Sequence, residues 1–152
     1  THLTNKIVLE ALENNLIKEF GKNTTIKSEI KFGNNTRFDF LITKQNYKAF
    51  LEVKNVTLAR NPKIAEFPDA VTSRGAKHIE ELIKASKKGY QVYIAFIIQR
   101  EDCNQFAIAN DIDPVYSTLL SKAVKKRLNI LCYDCKFSSK GIKLNKQIKF
   151  KI

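Results

Sequence analysis

The stretch RFDFLITKQNYKAFLEVKN, residues 37–55, decides the fold because its apolar and polar residues alternate as in two strands around a short turn. With Gln45 and Asn46 as the turn, Phe38 and Phe40 are predicted to lie on one face of the hairpin opposite apolar partners, and Asp39 lies on the other face opposite Glu52. Two carboxylates in facing positions destabilise a sheet unless a cation lies beside them. The stretch therefore predicts a site for positive charge at the open end of this hairpin.

That positive charge has two candidate sources. In the first, Lys54, on the same face as Glu52, completes a structural ion pair together with Arg37. In the second, Asp39 and Glu52 hold a divalent cation such as Mg²⁺ or Mn²⁺, with a backbone carbonyl near Val53 as a further oxygen ligand. Lys54 then orients or deprotonates a water beside a phosphodiester, which makes Asp39, Glu52 and Lys54 the predicted catalytic residues. No small-molecule cofactor is predicted.

The charge balance favours a polyanionic partner. Lysine and arginine total 27 against 15 aspartate and glutamate residues, a formal charge of +12, which attracts nucleic acid at low salt. DNA is the expected partner, RNA remains open, and a Lys- and Asn-rich genome is an alternative source of the charge. Neither a membrane-spanning run of ~18 apolar residues nor a signal peptide is present, so no membrane partner and a cytoplasmic location are expected. A homodimer is left open.

The order of predicted elements is α-β-β-β-α-β-α-β-β. The first helix is predicted over residues 4–20, with Thr4 as its cap, and a long loop over residues 57–73. A helix over residues 72–88 precedes the buried central strand YQVYIAFIIQ, residues 90–99. A further helix opens at Asp113-Pro114, and residues 142–152 are predicted as one lysine-rich edge strand.

Three cysteines are predicted to pack in the core rather than to form a disulfide or a metal site. Cys132 and Cys135 have the spacing of a metal-binding pair, but an odd separation on a strand sends two side chains to opposite faces. With Cys103 and only two histidines besides, the ligands of a zinc site are difficult to assemble.

A second cluster lies on the helix that follows the long loop. Arg74, Lys77, His78 and Glu81 recur at three- and four-residue spacing and therefore share a flank. The predicted nucleic-acid-binding residues are Arg37, Arg60, Arg74, Lys77 and His78. His78 is interpreted as a proton carrier, a phosphate donor or a packed helix residue.

Three more acidic residues are left with alternative interpretations. Asp69 is read either as a further carboxylate of the site or as the cap of the helix that begins near Thr72, with capping favoured. Glu10 and Glu13 either reach the cation from the first helix or belong to its solvated face.

The chain resembles two known groups of proteins. Asp39 followed by Glu52-Val53-Lys54 is similar to the pattern of the PD-(D/E)XK nuclease superfamily. The strings RFDF, EVKNVTLA, FPDAVTSRGAKHIEEL and IDPVY, spread over most of the chain, resemble the C-terminal domain of the sugar fermentation stimulation (SfsA) family. The resemblance implies an α/β, restriction-endonuclease-like α-β-β-β-α-β core, a mixed sheet flanked by helices.

The resemblance also implies how the chain is organised and what it does. Residues 1–152 are expected to be a single domain, without the OB-like domain that precedes it in the family. The implied function is DNA binding with a nuclease-like divalent-metal site and a role in regulating sugar-metabolism genes. A Mg²⁺-dependent DNA endonuclease or exonuclease is the alternative, and a structural or protein-binding module is the third hypothesis.

Overall fold

Three helices and ten strands follow one another in the computed structural model, which describes residues 2–152. Their bounds are α1 His2–Glu13, β1 Thr25–Phe32, β2 Thr36–Lys44, β3 Tyr47–Val56, β4 Leu58–Asn61, β5 Ile64–Phe67, α2 Ser73–Lys87, β6 Gln91–Ile98, β7 Gln105–Ile108, α3 Pro114–Lys126, β8 Asn129–Ser138, β9 Gly141–Gln147 and β10 Lys149–Lys151. The fold is mixed α/β with sheets flanked by helices, as predicted.

The larger sheet has the strand order β1-β2-β3-β6-β8-β9. Its central strands β3, β6 and β8 are parallel, and the outer strands pair antiparallel. Helix α1 packs on one face, where residues such as Val8 and Leu51 form the α1-side core. Helices α2 and α3 pack on the other face, where Leu82 and Phe96 belong to the α2-side core. Strand β6 is covered on both faces, which confirms the predicted central strand.

The predicted hairpin register is confirmed, but only up to Phe40. Strands β2 and β3 turn at Gln45-Asn46, and Phe40 pairs with Leu51. Beyond this pair the backbone ladder ends. Phe40 belongs to the α1-side core and Phe38 to the α2-side core, so the expectation that both share a face is wrong. The side chains of β2 therefore change faces at Asp39. The neighbouring residue on β1 is Glu29, and its φ of 53° departs from extended backbone.

The stretch predicted as a long loop holds two strands instead. β4 and β5 pair antiparallel, and β5 joins a second sheet of order β10-β7-β5-β4. Lys63, at φ 66°, makes the turn between them. Four-residue strands are too short to show a period, and the pairing of β5 with β7 joins segments that are distant in the sequence. The predicted final edge strand is likewise divided, because buried Ile148 separates β9 from β10.

The first helix is shorter than predicted, ending at Glu13 rather than at residue 20. Asn15 adopts φ 59° and terminates it, which leaves Leu16 57% exposed. Thr4 is not a cap but lies inside the helix, buried, where its hydroxyl accepts a hydrogen bond from Gln99 Nε2 at 2.6 Å.

The other two helices begin close to the predicted residues. Thr72 caps α2 by accepting from Gly75 N, so the predicted capping role of exposed Asp69 is wrong. Asp113 caps α3, with Pro114 at the first helical position as predicted.

Both helix starts are joined through one side chain. Asp113 Oδ1 accepts from Tyr116 N at 3.0 Å, and Oδ2 accepts from Thr72 N at 2.8 Å. The backbone N–H groups of Thr72 and Tyr116 hold the pKa of Asp113 below its usual range. Since α2 carries the second predicted cluster, Asp113 fixes where that cluster lies.

The three cysteines are free and buried, as expected. Cys132 packs in the α2-side core and Cys135 in the α1-side core, so the strand does direct them to opposite faces. Within residues 2–152, no helix combines the length and the apolar character needed to cross a membrane.

Replacing Asp113 by Ala removes two acceptors from backbone donors at both helix starts. We expect the free energy of unfolding to fall by about 1–3 kcal/mol, measured by urea denaturation. Asp113→Asn keeps one acceptor and serves as the graded control, with a smaller loss. An Ala variant as stable as the wild type would contradict this account of the helix starts.

Candidate metal and nucleic-acid site

Asp39 lies where the β2–β3 ladder stops, and its side chain replaces the missing backbone partner. Oδ2 accepts a hydrogen bond from Val53 N at 2.8 Å. Oδ1 accepts from Asn5 Nδ2 of α1 at 3.0 Å. Both carboxylate oxygens are therefore fixed, one by each neighbouring element.

Glu52 lies on β3 next to Asp39, and its side chain is almost completely buried, at 2% exposure. Its carboxylate affects the pKa of Asp39 through a hydrogen bond and through its charge, so the two acids are neighbours. Glu52 Oε2 also contacts His78 Nδ1 of α2 and lies 3.7 Å from Lys54 Nζ. A buried carboxylate requires such partners, because transfer of a lone charge out of water is costly.

The two acids have opposite pKa shifts. Burial, followed by the hydrogen bond and the charge of Glu52, raises the pKa of Asp39 to about 7, against the lowering effect of Val53 N and Asn5. Burial alone would raise the pKa of Glu52, but His78, Asp39 and Lys54 outweigh it and hold that pKa below its usual value. Near neutral pH the pair therefore shares one proton, which resides on Asp39.

Lys54 and His78 compete for the same position beside Glu52. Lys54 Nζ lies 3.4 Å from His78 Nδ1, while that nitrogen also contacts Glu52 Oε2. One ring nitrogen cannot donate to the carboxylate and accept from lysine at once. Because Nδ1 lies closer to Glu52 than to Lys54, we infer that Nδ1 donates a hydrogen bond to Glu52 Oε2. The positive charge of Lys54 also attracts the Glu52 carboxylate.

The predicted structural ion pair of Lys54 and Arg37 with the acids is therefore present only in part. Lys54 pairs with Glu52, whereas Arg37 is exposed and points into a groove rather than toward the two acids. His78 is likewise more than a packed helix residue, because it contacts Glu52 and lines that same groove.

The oxygen atoms around Asp39 and Glu52 fit a hard divalent cation. In residues 2–152, no cluster of three or more His, Cys, Asp and Glu side chains is arranged to hold a metal. The set is instead two carboxylates plus backbone. Val53 N points at Asp39, and both backbone groups of a strand residue point to one side, so the Val53 carbonyl faces Asp39 too. Mg²⁺ and Ca²⁺ prefer such oxygen ligands, and Mg²⁺ completes its shell with water.

A basic groove of about 520 Å³, termed here the inner groove, opens beside His78 between the β1–β2 turn and α2. The lining residues are Lys31, Asn34, Asn35, Thr36, Arg37, Arg74, Lys77 and His78. Four of the predicted nucleic-acid-binding residues therefore converge on one surface. Lys31, exposed on β1, lines the groove as well and was not predicted.

Arg60 is the exception among the predicted nucleic-acid-binding residues. Its guanidinium donates to Glu66 at 2.9 Å and to Asp111 at 2.7 Å and 2.8 Å, bridging β5 to the segment before α3. Two carboxylates neutralise its charge, and we leave it out of the binding surface.

Helix α1 contributes to the site through a residue that the sequence did not mark. Glu10 and Glu13 are exposed and belong to the solvated helix face. Asn5 reaches Asp39 instead. An amide on the polar side of a helix carries no signal in the sequence, so only packing reveals it.

Tyr116 is a second residue that the sequence did not mark. Its side chain is fully buried, and its hydroxyl has no hydrogen-bond partner within the described part of the chain. Burial and the charge of Glu52 raise the pKa of this phenol, so it stays protonated. The Tyr116 hydroxyl is therefore a hydrogen-bond donor without a partner among the described residues, near Glu52 in the interior of the domain.

Fold and site together define an α/β domain with a buried acidic pair at the edge of a basic groove. Residues 2–141 match the family described as "Sugar fermentation stimulation protein RE domain". The chain belongs to the sugar fermentation stimulation protein family.

Individual relatives agree with this assignment. A sugar fermentation stimulation protein homolog of Pelagibacter ubique is 52% identical over 149 residues, covering 98% of this chain and 64% of that protein. The homolog of a Ruegeria species is 39% identical over 145 residues, 95% of this chain and 62% of that protein. The chain thus spans somewhat less than two thirds of these relatives.

A solved structure shares the architecture. It is described as the structure of Pyrococcus furiosus SfsA in complex with Ca²⁺ and superimposes with a TM-score of 0.90. The two chains are 28% identical, and the match covers 99% of this chain and 65% of the other.

Proposed function

We propose that this domain binds DNA along the inner groove, next to a divalent cation held by Asp39, Glu52 and the Val53 carbonyl. The observation that carries the proposal is the contact of Glu52, one of the two neighbouring acids, with His78, which lines the basic inner groove. Two acids in contact need a compensating charge, and a DNA backbone needs cations. A divalent cation bound by the two acids next to the inner groove would compensate their charge and also attract the DNA backbone.

The relation to a nuclease-like site rests on the same residues. The order α-β-β-β-α-β, with β4 and β5 inserted before α2, and an acid on β2 bonded to the middle residue of Glu52-Val53-Lys54 on β3 support a restriction-endonuclease-like PD-(D/E)XK arrangement. The similar Pyrococcus furiosus SfsA is a complex with Ca²⁺, which supports a divalent ion for this chain. Regulation of sugar-metabolism genes, implied by the family resemblance, is proposed to rest on this DNA binding.

Each side chain has a separate task in the proposed site. Asp39 releases its proton when it becomes a ligand, and Asn5 and Val53 N keep its oxygens oriented. Lys54 balances the Glu52 charge, and His78 Nδ1 contacts the same carboxylate. Arg37, Arg74 and Lys77 contact phosphates, which positions the strand without reading its sequence. Weak sequence preference is therefore expected.

Hydrolysis of a phosphodiester is the second candidate function, favoured by the position of Lys54. Its side chain is only 15% exposed, and its ammonium lies 3.7 Å from Glu52, where it can orient a water or stabilise a phosphate oxygen. When bound, the cation would lower the pKa of its water and stabilise charge on the phosphate. Binding and cleavage use the same site and differ only in whether a water is positioned for attack.

Cation binding should strengthen as pH rises. The Asp39 carboxyl, with a pKa of about 7, must lose its proton to become a ligand, so the affinity for Mn²⁺ should increase about tenfold from pH 6 to pH 8. Isothermal titration calorimetry measures this affinity and the released proton. Asp39→Asn should abolish binding, whereas the exposed loop variant Asp69→Asn should not change it. Binding that is independent of pH, or retained by Asp39→Asn, would remove this cation site.

DNA affinity should fall steeply with salt, with a log–log slope of about −0.9 for each phosphate contacted. Arg74→Ala removes one such contact and should reduce the slope by roughly 1 at any DNA sequence. Fluorescence anisotropy of a labelled duplex between roughly 50 and 200 mM NaCl provides the measurement. Lys140→Ala, on the β8–β9 turn, is the control. Salt-insensitive binding would contradict the proposed groove.

If the site hydrolyses DNA, Lys54→Ala should lower the rate of cleavage in Mn²⁺ by about 100-fold or more. Lys48→Ala removes an exposed lysine from the same strand and should leave the rate unchanged. Cleavage is followed on a labelled oligonucleotide under single-turnover conditions. Equal rates for Lys54→Ala and the wild type would eliminate this mechanism while leaving DNA binding in place.

A further inference from the structure

A second groove, termed the outer groove, continues from the inner one along α2. It measures about 530 Å³ and shares Asn34, Asn35, Thr36 and Lys77 with the inner groove. A polymer lying in the inner groove can therefore extend into the outer groove around the β1–β2 turn. The volume is typical of sites that accept a small organic molecule, roughly 300–1,000 Å³.

The walls of the outer groove are strongly basic. Lys77, Lys84, Lys87 and Lys88 line it against one carboxylate, that of Glu81. Glu81 is 3.4 Å from Lys84 Nζ and neutralises one of the four lysines. The remaining positive charge suits a phosphate rather than a neutral or cationic ligand.

The floor of the outer groove is an aromatic ring. Phe32 is half-buried: its ring packs against Phe38 and Phe50, at centroid distances of 5.4 and 5.7 Å, and it also lines the groove. Lys88 Nζ lies 5.2 Å from the ring centroid, over its face. That lysine is exposed and flexible, so a flat ligand that stacks better can displace it.

Polar groups complete the site at its rim. The β1–β2 turn presents the exposed side-chain amides of Asn34 and Asn35, each with donors and an acceptor. Such amides can hydrogen-bond the edge of a nucleobase, as they do in known nucleic-acid complexes. Phosphate-binding lysines, an aromatic platform and amide groups thus surround one volume.

We propose that the outer groove binds one unpaired nucleotide of the strand that passes through the inner groove. Its base stacks on Phe32, Lys77 and Lys87 contact its phosphates, and Asn34 and Asn35 contact the base edge. A base inside a duplex has both faces covered by its neighbours and cannot stack on Phe32. The preferred substrate class is therefore single-stranded DNA or a frayed end, an inference that rests on the proposed function.

The test compares a single-stranded 2-aminopurine oligonucleotide with a closed hairpin duplex of the same composition. Phe32→Leu keeps the apolar packing but removes the platform. We expect it to weaken single-strand binding by about 5- to 150-fold and to abolish the 2-aminopurine quenching that stacking on Phe32 should cause in the wild type. Duplex affinity should change less than about twofold. Phe150→Leu, on the exposed strand β10, is the matched aromatic control and should have no effect.

Lys87→Glu supplies an independent variant, because this exposed lysine lines the outer groove and does not contribute to the core. It should weaken single-strand binding and reduce its salt dependence even if Phe32→Leu folds poorly. Equal wild-type affinity for both oligonucleotides, or unchanged quenching in both variants, would overturn the inference. These results would leave the proposed function intact, because Mn²⁺ affinity and duplex binding are measured separately. A wild-type protein that binds Mn²⁺ but no oligonucleotide would overturn both.

Discussion

The hydrogen bond from Val53 N to Asp39 Oδ2 is the contact on which the site depends. It replaces a rung of the ladder between β2 and β3 at the point where the two strands separate. The same bond turns Asp39 toward Glu52, so two acids meet in a half-buried gap rather than along an open sheet face. Without the end of the ladder, a continued hairpin would pair these residues by backbone and leave no space between their side chains.

Charge compensation follows from that geometry. Two adjacent carboxylates that are both ionised repel each other strongly when they are buried, and two features of the site reduce this repulsion. Asp39 keeps a proton near neutral pH, while Glu52 stays charged next to Lys54 and His78. The residues that compensate these charges are also the ones that a divalent ion and a phosphate would contact. Stability and proposed function therefore draw on one set of contacts.

Helix α2 connects the acidic pair to the basic surface. Its start is tied to α3 through Asp113, and its face toward the sheet is packed in the α2-side core. His78 then reaches Glu52, while Arg74 and Lys77 of the same flank line the inner groove. Strands β4 and β5 of the second sheet, which the sequence did not predict, lie between β3 and α2 in chain order, and Arg60 of β4 is bonded to Asp111 in the segment before α3.

The sequence by itself determined the hairpin register near its turn, the central strand, the start of α3 and the meeting of Asp39 with Glu52. Local alternation and turn chemistry carry that information, because both depend on near neighbours. Only the tertiary structure decided the face reversal at Asp39, the roles of Asn5 and Tyr116, the pairing of Arg60 and the second sheet. Each of these involves residues far apart in the chain, and no periodicity records which distant partners will be packed together.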